Sequence, residues 1–338
     1  MKILFAGSPD AARISLEYLY EQQQTFGFEI AGVLSNPPTA KGRHKTPTPT
    51  PVAAYALEKG LSVFTPEHLD SAAREQIAPL GADLLVCFAY GHIFGPKFLD
   101  LFPMGGINLH PSFLPKYRGC TPVQQAILEG DELLGISIQT LSLKMDAGDI
   151  LKQDFVHIKE QDTTESLLNY SAKKGAELIC QIIKESSAQG SLIKGKPQNK
   201  EDISYTYTIT KDMAKINWNE SAQIICRKIR AYYPDPCCWC QEPNDASLKI
   251  AEAHEISLSD AQLILENDAI FAPIISDSVF QAFPCGKVLA YNKNTGGIFV
   301  KTGDGILSIT KLQRQGKNMM NYKDFMNGAK DFTGITLK

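Results

Sequence analysis

The run Ala82–Ala89 (ADLLVCFA) constrains this chain more than any other stretch. Asp83 is its only polar residue. A segment this short and this continuously apolar suits a parallel strand buried on both faces, rather than one with a wet side. Three more strands are expected before it, at Lys2–Ala6, Glu29–Leu34 and Leu61–Phe64. Helical signals lie between them: from Ser8-Pro9 toward Tyr20, over Pro51–Lys59 and over about 66–79. Ser8 and Pro9 read as the start of the first helix. Alternation of this kind predicts a doubly wound α/β domain with a mainly parallel sheet. Gly7-Ser8-Pro9 lacks the G-x-G-x-x-G spacing, so a dinucleotide site is not expected after the first strand.

Chemistry concentrates between Gly106 and Asp149. Ile107-Asn108-Leu109-His110 alternates apolar and polar residues as a strand does, and Pro111 ends the ladder because it has no N–H to donate. Asn108 and His110 are two apart and so share one face of the strand. Thr121 as N-cap, Pro122 at the first helical position and Gly130 as stop mark a helix. Leu134–Leu141 reads as a strand, and Met145–Asp149 as the loop that returns carboxylates toward the end of the first strand. An amide, an imidazole and a carboxylate form the set needed to move an acyl group between nitrogens.

Three motifs in order, Asn108-Leu109-His110, Ser112-Phe113-Leu114-Pro115-Lys116-Tyr117-Arg118-Gly119 and Asp146-Ala147-Gly148-Asp149, resemble the signature of the folate-dependent formyltransferases. The likeness begins at Leu4–Asp10, runs nearly to the C-terminus, and is strongest to the branch that acts on methionyl-initiator tRNA. It implies a Rossmann-like catalytic domain followed by a β-rich, OB-fold-like barrel. It also implies 10-formyltetrahydrofolate as formyl donor and co-substrate, with no metal. By that likeness Asn108 stabilises the oxyanion, His110 moves the proton, and Asp146 fixes the imidazole tautomer. The folate pocket is expected at Ser112, Phe113, Leu114 and Pro115 together with Phe88, Tyr90, Gly91, His92 and Ile93. Two departures are visible: Pro111 stands where some members have glycine, and 256–284 is longer than usual. Other members form the competing readings: a glycinamide-ribotide transferase, a sugar-amine transferase, or the hydrolase part of a dehydrogenase. An RNA-binding protein without catalysis and a folate-binding protein without turnover lie outside that class.

Residues 36–51 (NPPTAKGRHKTPTPTP) carry Lys41, Arg43 and Lys45 with no acidic residue, and their prolines predict an irregular loop. The resemblance makes it a basic arm for the acceptor end of tRNA. A helix is expected from Asp162-Thr163-Thr164-Glu165 to about Ser187, then a Gly/Lys/Pro tether. The domains are expected at 1–189 and 209–338, joined by a linker at 190–208. Beyond it, Ile216–Ala222 starts a helix bearing Arg227, Lys228 and Arg230. Strands follow at Leu248–His254, Lys287–Asn292, Ile298–Lys301 and Ile306–Lys311, the last two joined by the turn Thr302–Gly305.

The formal charge of −3 does not suit a nucleic-acid binder, but its distribution does. Ser191–Arg230 has eight Lys/Arg against four Asp/Glu, and Lys311–Lys338 has six against two. Eight scattered cysteines, among them Cys237, Cys238 and Cys240, read as cytosolic thiols rather than as a disulfide framework or a zinc site. With 338 residues, no long apolar run and no signal-like N-terminus, the chain is expected to be a two-domain cytoplasmic protein, monomeric and away from membranes.

Overall fold

The computed structural model describes residues 1–41, 46–265, 277–293, 296–329 and 331–338. They fall into two units. Unit 1 comprises Met1–Val123, Glu132–Ile158 and Ser166–Tyr207; unit 2 comprises Gln124–Asp131, Lys159–Glu165 and Thr208–Lys338.

The chain begins with β1 (Lys2–Gly7), α1 (Asp10–Phe26) and β2 (Glu29–Leu34). A short hairpin, β3 (Thr39–Lys41) and β4 (Thr46–Thr48), precedes α2 (Pro51–Glu58) and β5 (Val63–Phe64). Next come α3 (Ser71–Ile77), β6 (Leu84–Phe88), α4 (Pro96–Leu99), β7 (Gly106–His110) and β8 (Arg118–Gly119). α5 (Pro122–Glu129), β9 (Leu133–Thr140), β10 (Ile150–His157), α6 (Thr164–Gln189) and β11 (Tyr205–Thr206) complete the first half.

Seven strands form one sheet in the order β10-β9-β7-β6-β1-β2-β5. β7, β6, β1, β2 and β5 run parallel, whereas β9 and β10 are antiparallel. The strand order reverses between β1 and β6, the switch point at which open α/β sheets bind ligands. One face is apolar throughout: Ile3, Phe5, Leu84, Val86, Ile107, Leu109, Ile136 and Ile138 pack with residues of α1 and α6. A Cβ on Gly175 of α6 would run into the Leu109 side chain, so the helix lies close on β7. The other face is apolar only under α3 and α4, where Leu4, Leu85 and Cys87 meet Phe94, Phe98 and Phe102. From β7 outward it turns polar, and there the register sets Asn108 opposite Gln139 and His110 opposite Ser137. A pleated strand alternates its faces, so these four side chains share one patch.

Several expectations change. Ser8 does not cap α1, whose N-cap is Pro9. Its hydroxyl instead accepts the Asn36 backbone N–H at 3.1 Å. Residues 36–51 are not irregular throughout: β3 and β4 pair with Pro47 opposite Ala40. A proline is tolerated on such an edge because its missing N–H is not needed there. Arg43 and Lys45 lie outside the described residues, and so does the side chain of Lys41, whose backbone is in β3. β10, unforeseen, leaves α6 a sheet edge to cover. The stretch read as a tether is docked in unit 1: Lys196 and Ile150 exchange backbone hydrogen bonds, and β11 pairs in parallel with β8.

Unit 2 continues with α7 (Ala222–Tyr232), β12 (Cys238–Gln241), β13 (Ser247–Ile256), α8 (Leu258–Leu265) and α9 (Asp277–Ala282). It closes with β14 (Val288–Tyr291), β15 (Ile298–Lys301), β16 (Ile306–Arg314), β17 (Met320–Asn321) and α10 (Tyr322–Asn327). Its antiparallel sheet has the order β12-β13-β16-β15-β14, with β17 on β16. α7 starts later than the sequence suggests, where the Ser221 hydroxyl accepts the Ile224 N–H. The cations of α7 are engaged: Lys228 pairs with Glu220 at 2.6 Å, Arg230 donates to the Asp162 carbonyl, and the Arg227 guanidinium covers Gly130. They are therefore not a free basic strip. Cys237, Cys238 and Cys240 are free, buried thiols, each pushed upward in pKa mainly by desolvation.

Candidate active site

The polar patch on β7 and β9 is where the chemistry can occur. His110 is almost fully buried, and its Nε2 lies 2.9 Å from the Tyr117 carbonyl. A carbonyl can only accept, so Nε2 carries a proton and a neutral ring keeps its lone pair on Nδ1. Nδ1 faces Asp146 Oδ1 at 3.6 Å, beyond hydrogen-bond range. The tautomer is thus set by the Tyr117 backbone and not, as the sequence reading expects, by Asp146. A proton arriving at Nδ1 would find the carboxylate in front of it. Asn108 is half-buried, and its amide makes no hydrogen bond within the described residues. Its donors are free for a ligand.

Asp146 reaches this patch from an unexpected side. The loop leaves β9 beside the start of β7, where Leu141 N–H bonds the Gly106 carbonyl. It then folds back over the sheet face. Gly119 N–H donates to Asp146 Oδ2 at 2.8 Å, and Gln139 Nε2 donates to Oδ1 at 2.9 Å. A Cβ on Gly148 would collide with the Thr140 carbonyl, which explains a glycine in the Asp-Ala-Gly-Asp run. Ala89, Tyr117 and Asp146 all have positive φ (51°, 61° and 47°), a conformation that non-glycine residues adopt at a cost of about 1–3 kcal/mol. All three flank the polar patch.

The sequence-predicted folate residues divide into two sets. Phe88, Tyr90, Ser112 and Leu114 are buried. Tyr90 stacks on Phe94, and burial pushes its phenol up to about 12. Ser112 donates to the Lys116 carbonyl at 2.6 Å and closes its own loop, so its hydroxyl is a structural group here. Ser137 secures that loop further, donating to the Ser112 carbonyl and accepting the Leu114 N–H. Gly91, His92, Ile93 and Phe113 are exposed and Pro115 is half-buried. Ile93, in the turn that follows β6, is 71% exposed. Asn36 joins the strand ends by donating through Nδ2 to the Tyr90 carbonyl, while its buried Oδ1 has no partner among the described residues.

Four supporting residues escape sequence reasoning. Gln139 and Ser137 carry a faint signal as polar residues inside the apolar run LLGISIQT. Arg118 stands in a motif without an assigned role. Gln198 has no local signal at all, yet its Nε2 donates to the carbonyls of Asp146 (2.8 Å) and Gly148 (2.7 Å) and lies 3.2 Å from Gln139 Oε1. Its Oε1 accepts from Arg118 Nε and Nη2 at 3.1 and 2.7 Å. No group of three or more His, Cys, Asp or Glu side chains among the described residues could hold a metal ion.

Comparison with known proteins agrees with this geometry. Residues 1–183 match the family model for formyl transferase, and residues 208–330 match that for the formyl transferase C-terminal domain. The chain belongs to the formyl transferase family. The methionyl-tRNA formyltransferase of Treponema denticola is 38% identical to this formyl transferase over 340 residues, covering 98% of each chain. Among solved structures, HypX from Aquifex aeolicus in complex with tetrahydrofolic acid superposes with a TM-score of 0.62 at 13% identity. It covers 98% of this formyl transferase, which spans only 48% of HypX. An N-formyltransferase from Helicobacter canadensis, bound to folinic acid and dTDP-3-aminofucose, gives 0.57 at 19% identity over 91% of this chain and 99% of its own. These two establish the shared fold.

Proposed function

We propose that this formyl transferase moves the formyl group of 10-formyltetrahydrofolate to the α-amino group of methionyl-initiator tRNA. One observation carries the reading: an uncommitted Asn108 amide lies beside a His110 whose Nδ1 faces the Asp146 carboxylate. The chain also matches a methionyl-tRNA formyltransferase over 98% of its length. The folate supplies a formyl group on a nitrogen that leaves as an amine. Its fit rests on the exposed Ile93 and Phe113 as apolar surface and on the backbone of 89–93 at the switch point.

The acceptor's amine forms the new C–N bond while the bond to the folate nitrogen breaks. Asn108 donates to the formyl oxygen as negative charge grows there, an effect worth roughly 10²–10³ in rate for one such donor. His110 takes the amine's proton at Nδ1, the free position of its ring, and returns it to the departing nitrogen. Asp146 stabilises the charged ring between those events. Lys41, Arg43 and Lys45, on the segment that follows β2 from the carboxyl edge of the sheet, are proposed to meet the phosphates of the tRNA acceptor end. The enzyme acts as a single chain in the cytoplasm, and no helix among the described residues is long and apolar enough to cross a membrane.

The test is a formyl-transfer assay with labelled 10-formyltetrahydrofolate and three acceptors: charged initiator tRNA, glycinamide ribotide and a nucleotide-linked amino sugar. Turnover with the tRNA far above the other two is expected. Preference for either small amine would refute the reading.

A further inference from the structure

We propose that Gln198 is a positioning residue for formyl transfer, holding the catalytic loop so that Asp146 meets His110; this rests on the functional reading above. It lies outside both family matches, which end at residue 183 and resume at 208. Its orientation is forced from two sides. Arg118 has only donors, so the atom facing it must be Oε1. Nε2 is then turned toward the carbonyls of Asp146 and Gly148, which only accept, at 2.8 and 2.7 Å. The first of those bonds is made to the loop residue whose φ is 47° and whose carboxylate faces His110, and the second holds the same turn two residues on. The third neighbour, Gln139 Oε1, belongs to the amide that holds Asp146 Oδ1.

Arg118 adds to the effect. It is buried, and its guanidinium makes no ion pair among the described residues. Its charge is met by Gln198 Oε1 and, at 3.5 Å, by Tyr205 Oη. A cation on the oxygen of an amide polarises it and strengthens its N–H donors. The surrounding segment is pinned as well: Tyr117 N–H donates to Ser204 Oγ, and β11 pairs with β8. Tyr117 is also the residue whose carbonyl sets the His110 tautomer. Residues 198–206 therefore hold both partners of the His110–Asp146 pair from behind. Without the two N–H bonds, Asp146 can relax from its left-handed backbone and lose its aim. An error of about 1 Å in such a group costs on the order of 10²-fold in rate.

Two near-isosteric substitutions separate positioning from stability. Gln198→Glu removes both donors and keeps an acceptor, now charged, for Arg118. Gln198→Met removes the donors and the acceptor. In the full-length protein, both variants are expected to lower kcat for methionyl-tRNA roughly 10- to 100-fold, with KM for the tRNA and Kd for 5-formyltetrahydrofolate within about twofold of the parent. The melting temperature should fall clearly only in Gln198→Met. The ring signals of His110, followed by NMR, should shift in both variants, and this readout needs no substrate. Parent-like kcat in Gln198→Glu with unshifted His110 signals would overturn the proposal. So would a kcat loss that tracks only melting temperature across the two variants. A parent inactive on methionyl-tRNA would refute the functional reading instead, and the His110 signals would still decide the role of Gln198.

Discussion

Asn108 and His110 lie on one strand, and neither belongs to its apolar core cluster. Their side chains lie on the polar face, whereas Ile107 and Leu109 between them carry the packing against α6. Asn108→Ala and His110→Ala are therefore expected to fold with parent-like circular dichroism. Each should lose about 10²-fold or more in kcat, one through the oxyanion and the other through the proton. Activity within a few-fold of the parent in both would remove them from the chemistry. Gly148 is the opposite case, a residue with no side chain to offer a substrate. A side chain there would meet the Thr140 carbonyl where the loop turns back, so the loop must move and Asp146 with it. Gly148→Ala should give a folded protein with sharply reduced turnover, and parent-like kinetics would show that the loop absorbs the methyl group.

At the scale of elements, β10 and α6 are joined by a contact whose pH dependence has a definite sign. The Asp154 carboxylate is held below the ordinary carboxylate range, first by the Phe155 backbone N–H and then by Lys174, 3.1 Å away on α6. A carboxylate depressed in the folded state adds stability above its unfolded pKa and loses it as the pH falls through the folded value. The gap in stability between the parent and Asp154→Asn should thus be present at neutral pH and close in acid, below the usual carboxylate range. Denaturant titrations of both proteins across that window measure it, and a pH-independent gap would assign the loss to packing. β10 also shows what a sequence hides. The strand of Ala82–Ala89 and the Asn108/His110 face are legible because burial on two faces, or on one, imposes a local pattern. β10 (ILKQDFVH) has one face partly in solvent and carries the mixed signal of an edge. β8 and β11 are two residues each, too short for any periodicity, and exist because they pair with each other across 87 residues of chain. The direction from which Asp146 approaches was hidden for the same reason, since an antiparallel β9 is fixed by long-range register. The β3–β4 hairpin was obscured by prolines that an edge accommodates.

At the scale of the whole molecule, the C-terminal limit of unit 1 becomes a testable quantity. The N-terminal family match ends at residue 183 and α6 at Gln189, yet the contacts that hold Tyr117, Arg118 and the Asp146 carbonyl come from Gln198, Ser204 and Tyr205. Thr121 adds one more bond, from its hydroxyl to the Tyr207 carbonyl. A chain ended after Tyr207 retains all of these, and one ended after Gln189 none. The longer piece is expected to unfold in one cooperative transition and to bind 5-formyltetrahydrofolate about as the full chain does. The shorter piece should bind it more weakly and melt lower, because Arg118 loses its acceptors on Gln198 and Tyr205 and the Asp146 loop loses the two Gln198 N–H bonds. Unit 2 is proposed to bind the tRNA backbone, so the longer piece should also show a higher KM for charged tRNA. Its dependence of kcat/KM on salt should be shallower than that of the full chain, since fewer phosphates are neutralised. Equal folate binding and melting in the two pieces would return 190–207 to the status of a tether. Equal salt slopes for the longer piece and the full chain would deny unit 2 its part in holding the tRNA.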